Sequence, residues 1–476
     1  MKLIFENGKY WWMLPAALLT GCMVGPDYVR PQLDIPAAYS EPTAGWKHAH
    51  PSDEKLDATW WIPYGDETLN QLMSEIDINN QNLKAAEARY RQAQAQLRAT
   101  TANLFPTLNA NVSTGRGQSA NLGGSGTQRG PTDQYHFSLN AAWDIDLWGR
   151  VQRSVEAQTA NIQVTEAQLA ALRLSTQTAL LQAYIALRVG DAQQKLMEET
   201  VEAYARSLEM TQNRYQAGII TRADVSQAQT QLESARTQLI DLEISRIQSR
   251  NALALLVGKV PSQFSLAFLD TLPLKLPEIP VTVDSEWLER RPDVAAAERR
   301  VAVANAEIGV AQAAFYPSLT LSASGGYQAN RWSDWFDVPG RVWSLGAGLA
   351  QLIFDGGRRS AMKDSMVAAY DATVADYKQT VLIAFQEVEN QLTTLRVLDD
   401  EWRSQQAALS AARDTEALIL NQYKAGTTTY INVVVAQTAR LNAENNTIRL
   451  RGRQLAASVA LINALGGGWP GLVSLP

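Results

Sequence analysis

The chain contains the same pattern twice, and that repetition limits its possible folds more than any other feature. Asn213-Arg214-Tyr215-Gln216-Ala217-Gly218 returns 208 residues later as Asn421-Gln422-Tyr423-Lys424-Ala425-Gly426. At the same shift Val225 meets Val433, and Ala228-Gln229-Thr230 meets Ala436-Gln437-Thr438. Leu187-Arg188 meets Leu395-Arg396, Gly149-Arg150 meets Gly357-Arg358, and Gly258 meets Gly466. Upstream the shift becomes 211: Pro106-Thr107-Leu108 matches Pro317-Ser318-Leu319, and Ala86-Glu87 matches Ala297-Glu298. The single step from 211 to 208 predicts a three-residue length difference in a loop between the two anchors. A 476-residue chain built this way is one duplicated unit rather than a string of unrelated domains.

Each copy holds two stretches with period-two alternation, the signature of strands with one apolar face. In the first copy Leu108, Ala110 and Val112 alternate with Asn109, Asn111 and Ser113. Farther on, Phe137, Leu139, Ala141, Trp143, Ile145 and Leu147 share a face, opposite His136, Ser138, Asn140, Asp144 and Asp146. The second copy repeats this with Leu319, Leu321 and Ala323, then Leu345, Ala347, Leu349 and Ile353. Strands are expected at about 106–115, 134–147, 317–328 and 342–354. A soluble half-buried sheet gives the same alternation. Here the strands are about ten residues long and aromatics gather at their ends, among them Phe105, Tyr135, Trp148, Phe315, Tyr316, Trp332, Trp335 and Phe336. That is the pattern of membrane strands with aromatic girdles. Four strands are too few to close a barrel, and a bilayer forbids open edges, so the subunits must pool strands.

After each strand pair comes a long proline-free run, from Thr132 to Val260 and from Gly340 to Trp469. Arg150 to Gln212 is rich in Ala, Gln, Leu and Glu and predicts about 95 Å of helix. Val164, Ala167, Ala171, Leu174, Ala179 and Tyr184 mark a packing face of coiled-coil type. Gly218 and Gly426 read as C-caps, and Arg222 and Tyr430 restart the helical pattern. Helical hairpins are therefore expected at about 150–258 and 357–465.

The N-terminus adds a location. Lys2 and Lys9 precede an apolar run from Tyr10 to Leu19, too short to span a bilayer and the right length for a signal sequence. It ends in Leu19-Thr20-Gly21-Cys22, which resembles the bacterial lipobox; Cys22 is the lone cysteine of the chain and would carry a covalent lipid. Met23, rather than an aspartate, fits outer-membrane sorting. One cysteine excludes an internal disulfide, and three histidines (His48, His50, His136) give no metal-ligand spacing. The net charge of −6 and the absence of a basic stripe argue against nucleic acid. No nucleophile motif or phosphate loop is present. Asp144 and Asp146 read as lumen-facing polar residues rather than paired catalytic carboxylates, and Arg290-Arg291 before Pro292 as a solvated helix start.

These pieces together resemble the TolC-like outer-membrane efflux factors, specifically their NodT-type lipoprotein subgroup. The resemblance rests on Gly21-Cys22 with Gly25-Pro26-Asp27-Tyr28, Asp144-Ile145-Asp146-Leu147-Trp148-Gly149-Arg150, Arg290-Arg291-Pro292-Asp293-Val294, Ala314-Phe315-Tyr316-Pro317-Ser318-Leu319, Phe354-Asp355-Gly356-Gly357-Arg358, and Ala464-Leu465-Gly466-Gly467-Gly468-Trp469. It implies a mixed α and β membrane protein: a homotrimeric twelve-stranded outer-membrane β-barrel, continued by a periplasmic α-helical barrel with an equatorial belt. It also implies docking to a periplasmic membrane-fusion adaptor and an inner-membrane pump, with no cofactor beyond the lipid on Cys22.

The expected organisation is a signal peptide over 1–21, a lipidated segment and equatorial region over 22–80, and the first repeat over 81–258. A proline-rich linker and equatorial region follow over 259–290, then the second repeat over 291–466 and a tail over 467–476. By position in the family, Gly218, Ile219, Ile220, Gly426, Thr427 and Thr428 would be adaptor-docking tips. Tyr215, Arg222, Asp224, Tyr423 and Tyr430 would line a closed periplasmic aperture. Val435 stands where many members carry an acidic residue, which points to an apolar constriction or to simple helix packing. A periplasmic lipoprotein scaffold or adaptor with a coiled coil and a soluble β-domain is the competing reading.

Overall fold

The computed structural model of the chain describes residues 23–32, 59–118, 130–277 and 291–469. Cys22, the signal region, much of the expected linker and the end of the tail lie outside the described residues. Helices α1 (Glu67–Asn79) and α2 (Gln81–Thr101) precede strands β1 (Thr107–Gly117) and β2 (Thr132–Ile145), then helices α3 (Arg150–Gln216) and α4 (Arg222–Leu256). The second copy repeats the order with α5 (Pro292–Ala313), β3 (Ser318–Ala329), β4 (Arg341–Ala350), α6 (Arg358–Lys424) and α7 (Tyr430–Ala464). The two long helices have 67 residues each and the two return helices 35 each. Fourteen residues lie between Gly117 and Thr132 and eleven between Ala329 and Arg341. The three-residue step expected from the repeat offset therefore falls in the turns of the β-hairpins.

The chain divides into two compact units. The first comprises residues 1–32, 89–165 and 297–377 and contains the sheet. Its strands run β1-β2-β3-β4, all pairs antiparallel. The register stacks Leu108, Ala141, Ala323 and Leu345 across one face, and Asn109, Asn140, Ser324 and Ser344 across the other. Apolar and polar residues are thus segregated by face along most of the sheet, with Arg116, Asp133 and Arg341 joining the apolar face at the hairpin rim. On the polar face Asn140 Nδ2 donates to Ser138 Oγ (2.9 Å), the Ser324 and Ser344 hydroxyls meet at 2.8 Å, and Thr320 Oγ1 donates to Asp144 (2.6 Å). The apolar face is not covered: Leu108 is 70% exposed and Leu345 76%. Edge strands β1 and β4 are exposed along their full length.

Two strand ends differ from the sequence expectation. β2 stops at Ile145, and Asp146 instead accepts a bond from the Gln152 backbone N–H (2.8 Å) in the first turn of α3. It is a helix-capping carboxylate, not a strand residue of the polar face. β4 stops at Ala350 because side chains take over the backbone acceptors beyond it. Arg359 Nη2 donates to the Leu352 carbonyl (2.7 Å) and Gln351 Nε2 to that of Phe315 (3.1 Å). Asp355 then caps α6, accepting from the Gly357 and Arg359 N–H groups at 3.0 and 3.2 Å.

Aromatics mark both rims. At the helix-proximal rim Trp148 stacks on Tyr316 (4.8 Å) and donates its indole N–H to Pro317 O (2.8 Å). At the hairpin rim Tyr135, Trp332, Trp335 and Phe336 form a cluster with ring separations of 5.0–5.6 Å. Met23 to Gln32 is strapped to this unit by Arg153, 1% exposed, which donates to Val24 O and Gly25 O (both 3.2 Å) and pairs with Asp27 (2.8 Å).

The second unit comprises residues 33–88, 166–296 and 378–476. Its main core joins Tyr64, Leu69, Met73 and Ile76 to Leu180, Leu181 and Tyr184 of α3, Leu253 of α4, and Leu455 and Val459 of α7. Phe264 and Leu274, from the segment after α4, close it. Tyr184 donates to Asp66 (2.7 Å); burial, with the Asp66 bond adding to it, pushes its phenol up to about 12. Asp191 is fully buried between Arg188 (2.8 Å) and Arg246 (2.7 Å), and Arg188 also holds the Ala267 carbonyl (2.8 Å). Arg291 corrects the expectation of a solvated helix start. It is 6% exposed, donates to Ala464 O (2.9 Å), and pairs with Asp293 and Glu387 at 2.8 Å. Among the described residues no helix is long and apolar enough to cross a membrane.

Candidate functional site

The helical hairpins turn at two tips in the second unit, and their local chemistry is nearly the same. In the first, Ile219 N–H donates to Arg214 O (3.0 Å) and Gly218 N–H to Tyr215 O (2.9 Å). In the second, Thr427 N–H donates to Gln422 O and Gly426 N–H to Tyr423 O, both at 3.0 Å. This paired bonding is the Schellman arrangement, in which the residue after the helix turns left-handed to satisfy its last carbonyls. Gly218 (φ 73°) and Gly426 (φ 78°) supply that turn. No atom lies within 4 Å of where a Cβ would sit on either glycine, so backbone handedness rather than space requires them.

The tips then diverge. At the first, Thr221 donates both its backbone N–H (3.0 Å) and its hydroxyl (2.8 Å) to Asp224. Asp224, at the third helical position, thereby caps the start of α4. The 208-shifted position carries Asn432, which donates to Thr428 Oγ1 (2.8 Å) instead. Ile219 is 64% exposed, Ile220 and Thr428 are half-buried, and Thr427 is exposed.

The expected aperture residues do not share one environment. Tyr423 and Tyr430 come together with ring centroids 5.5 Å apart, but both are 2% exposed within the chain's own packing. Val433 and Ala228 complete that cluster. The Tyr430 hydroxyl meets Ser207 Oγ at 3.1 Å, and burial raises its phenol above the ordinary value. Tyr215 is 45% exposed, Arg222 is exposed, Asp224 is engaged in its cap, and Val435 is 61% exposed.

One residue that sequence reasoning missed joins the two tips. Arg214, at the end of α3, lies 4.6 Å over the Tyr423 ring and donates to the Tyr423 (2.8 Å) and Lys424 (3.4 Å) carbonyls. A guanidinium on the last carbonyls of a helix satisfies orphan acceptors and opposes the negative dipole end. The repeat held the signal: position 422, the counterpart of Arg214, is Gln. Above the tips Gln231 bridges Tyr204 and Thr438, both at 3.1 Å. Arg440 pairs with Glu416 (2.6 Å) and Glu444 (2.7 Å). Burial leaves Glu416 above the usual carboxylate range despite Arg440. Among the described residues no cluster of metal-ligating side chains forms.

Comparison with known proteins agrees with this architecture. The model of the family described as "Outer membrane efflux protein" matches residues 72–259 and again 284–467, one match per repeat. The chain is 32% identical to the pyoverdine export outer membrane protein OpmQ of Pseudomonas aeruginosa, over 96% of both chains. It is 28% identical to the cation efflux system protein CusC of Escherichia coli K12, over 95% of this chain and 98% of that one. The outer-membrane channel OprN superposes with a TM-score of 0.87 at 30% identity, covering 94% of this chain and all of that one. The duplicated sheet-and-hairpin chain belongs to the outer membrane efflux protein family.

Proposed function

We infer that three copies of this chain close a twelve-stranded outer-membrane pore. Through it pass small molecules handed over by an inner-membrane pump and a periplasmic adaptor. The observation that carries the reading is the open, four-stranded sheet with one bare apolar face and two fully exposed edge strands. In a bilayer an unpaired edge costs several kcal/mol per unsatisfied backbone group. With an even strand number, β4 of one copy can pair antiparallel with β1 of the next. The apolar face then meets lipid and the Asn/Ser/Thr face lines an aqueous duct. A soluble scaffold leaves both edges and the apolar face in water, which this sheet is not built for.

The chain is a passive duct and not an enzyme; it resides in the outer membrane and extends into the periplasm. We assign lipidation to Cys22 on its lipobox-like sequence, so that barrel and acyl chains both hold the protein in the membrane. The tips at Gly218-Ile219-Ile220 and Gly426-Thr427-Thr428 are the proposed adaptor contacts. Tyr215, Arg222 and Val435, being exposed, are the candidates for facing neighbouring copies at the aperture. Tyr423 and Tyr430 instead stiffen the second tip from within.

The test is Gly218→Val with Gly426→Val in cells that depend on this channel for export. Each change costs about 1–2 kcal/mol locally through the lost left-handed turn. Trimers should still assemble and export should fall to background. Full export in a correctly folded double variant would remove the tips from the docking role.

A further inference from the structure

We propose that the β3–β4 hairpin rim binds a phosphorylated lipid headgroup of the surrounding outer leaflet. The site is made by Arg331 and Arg341 beside the exposed rings of Trp332, Phe336 and Trp343. It rests on the apolar face of the sheet being the lipid-facing one.

The register fixes the side that Arg341 and Trp343 serve. Arg341 stands opposite Tyr327, which belongs to the apolar face, and Trp343 lies two residues farther down the same face. Phe336 packs on Tyr327 (5.5 Å) and Trp332 on Tyr135 (5.6 Å), so the turn between β3 and β4 folds over the lipid side of the rim. Trp335, 7% exposed, anchors it. Trp332, Phe336 and Trp343 stay 69%, 63% and 71% exposed. Rings so placed sit at headgroup depth in a barrel.

The charges decide the ligand. Arg331 and Arg341 are exposed and make no ion pair among the described residues. On the neighbouring hairpin Arg116 faces the same side but is matched by Asp133 (3.6 Å). Among the described residues of the two hairpins, the arginines that make no ion pair are Arg331 and Arg341. Asp334 accepts from Ser333, and with Asp337 it brings the local charge to zero. Attraction must then come from short-range guanidinium–phosphate contact rather than from a long-range field. Two guanidinium groups on the segment that carries these exposed rings suit a phosphate attached to a sugar, with its acyl chains running down the apolar strands.

The experiment uses the full-length trimer in mild detergent, titrated with lipid A and with its dephosphorylated form and followed by native mass spectrometry. Lipid A should bind tighter, and Arg331→Gln with Arg341→Gln should weaken it about 25-fold, about fivefold per arginine. Binding of the dephosphorylated lipid should not change. Arg331→Lys with Arg341→Lys keeps the charge but loses the planar fork and should weaken lipid A binding about fivefold; where the Gln/Gln variant fails to form trimers, native-like binding by this one overturns the proposal. Equal binding of the two lipids, or native-like binding by the Gln/Gln variant, overturns the proposal. Loss of binding on adding EDTA also overturns it, since recognition would then run through a cation held by Asp334 and Asp337.

Discussion

Arg214 shows how one side chain can set a mechanical property. It spends its hydrogen-bonding capacity on the final carbonyls of α6 and its flat face on Tyr423, so it ties the tip of one repeat to the tip of the other. Arg214→Gln, which copies the residue of the second repeat, should loosen that tie by about 1 kcal/mol. In planar bilayers the conducting fraction should rise about fivefold with trimers intact. An unchanged conducting fraction would mean that the tips are held by the tyrosine cluster alone. The two tips read as near copies from sequence, and their glycines and turns were plain there. Arg214 was not, because its partners are backbone carbonyls 209 and 210 residues away, and an acceptor carries no residue signature. For the same reason Tyr423 and Tyr430 were expected at an aperture. Their spacing around Gly426 was visible, but not that Ser207 and Ala228 of the other repeat would bury them.

At the scale of elements the repeat hides a real difference. Leu187-Arg188 and Leu395-Arg396 look equivalent, yet Arg188 is 1% exposed and Arg396 is on the surface. Likewise Asp191 is fully buried while Asp399, its counterpart, is 57% exposed and pairs with Arg403. The reason is the segment after α4, whose Ala267 carbonyl and Phe264 ring cover the first copy. Asp191→Ala would strand two guanidinium groups and cost about 3–5 kcal/mol, whereas Asp399→Ala should cost less than about 1. Thermal unfolding of the trimers, compared side by side, checks this; equal losses would contradict the assigned burial. Element boundaries were legible where a glycine marked them, as at Gly218 and Gly426. They failed at Asp146 and beyond Ala350, where alternation ran on but side chains had taken over the ladder's acceptors. The packing face of α3 was underestimated too. Leu180, Leu181 and Leu187 are all 0% exposed because several elements surround that stretch, and a single stripe was read from a helix buried on several sides.

For the whole molecule the sheet makes the sharpest claim. Leu345→Lys on the apolar face should cost about 2–4 kcal/mol and lower the trimer yield in the membrane. Ser344→Lys, one residue away on the polar face, should fold normally and shift ion selectivity toward anions. The reverse pattern would place lipid and water on the wrong sides. The fold class was readable because alternation, girdles and duplication are long-range patterns that many residues vote on. The equal helix lengths described above carry one more consequence. Adding a single residue to either 67-residue helix would rotate everything beyond it by about 100° and advance it by about 1.5 Å. The partner helix could not follow. The turns of the β-hairpins, by contrast, already differ by three residues. The outward rim can therefore take insertions in its turns, while the helical section behaves as a matched pair of calipers whose arms must be cut to one length.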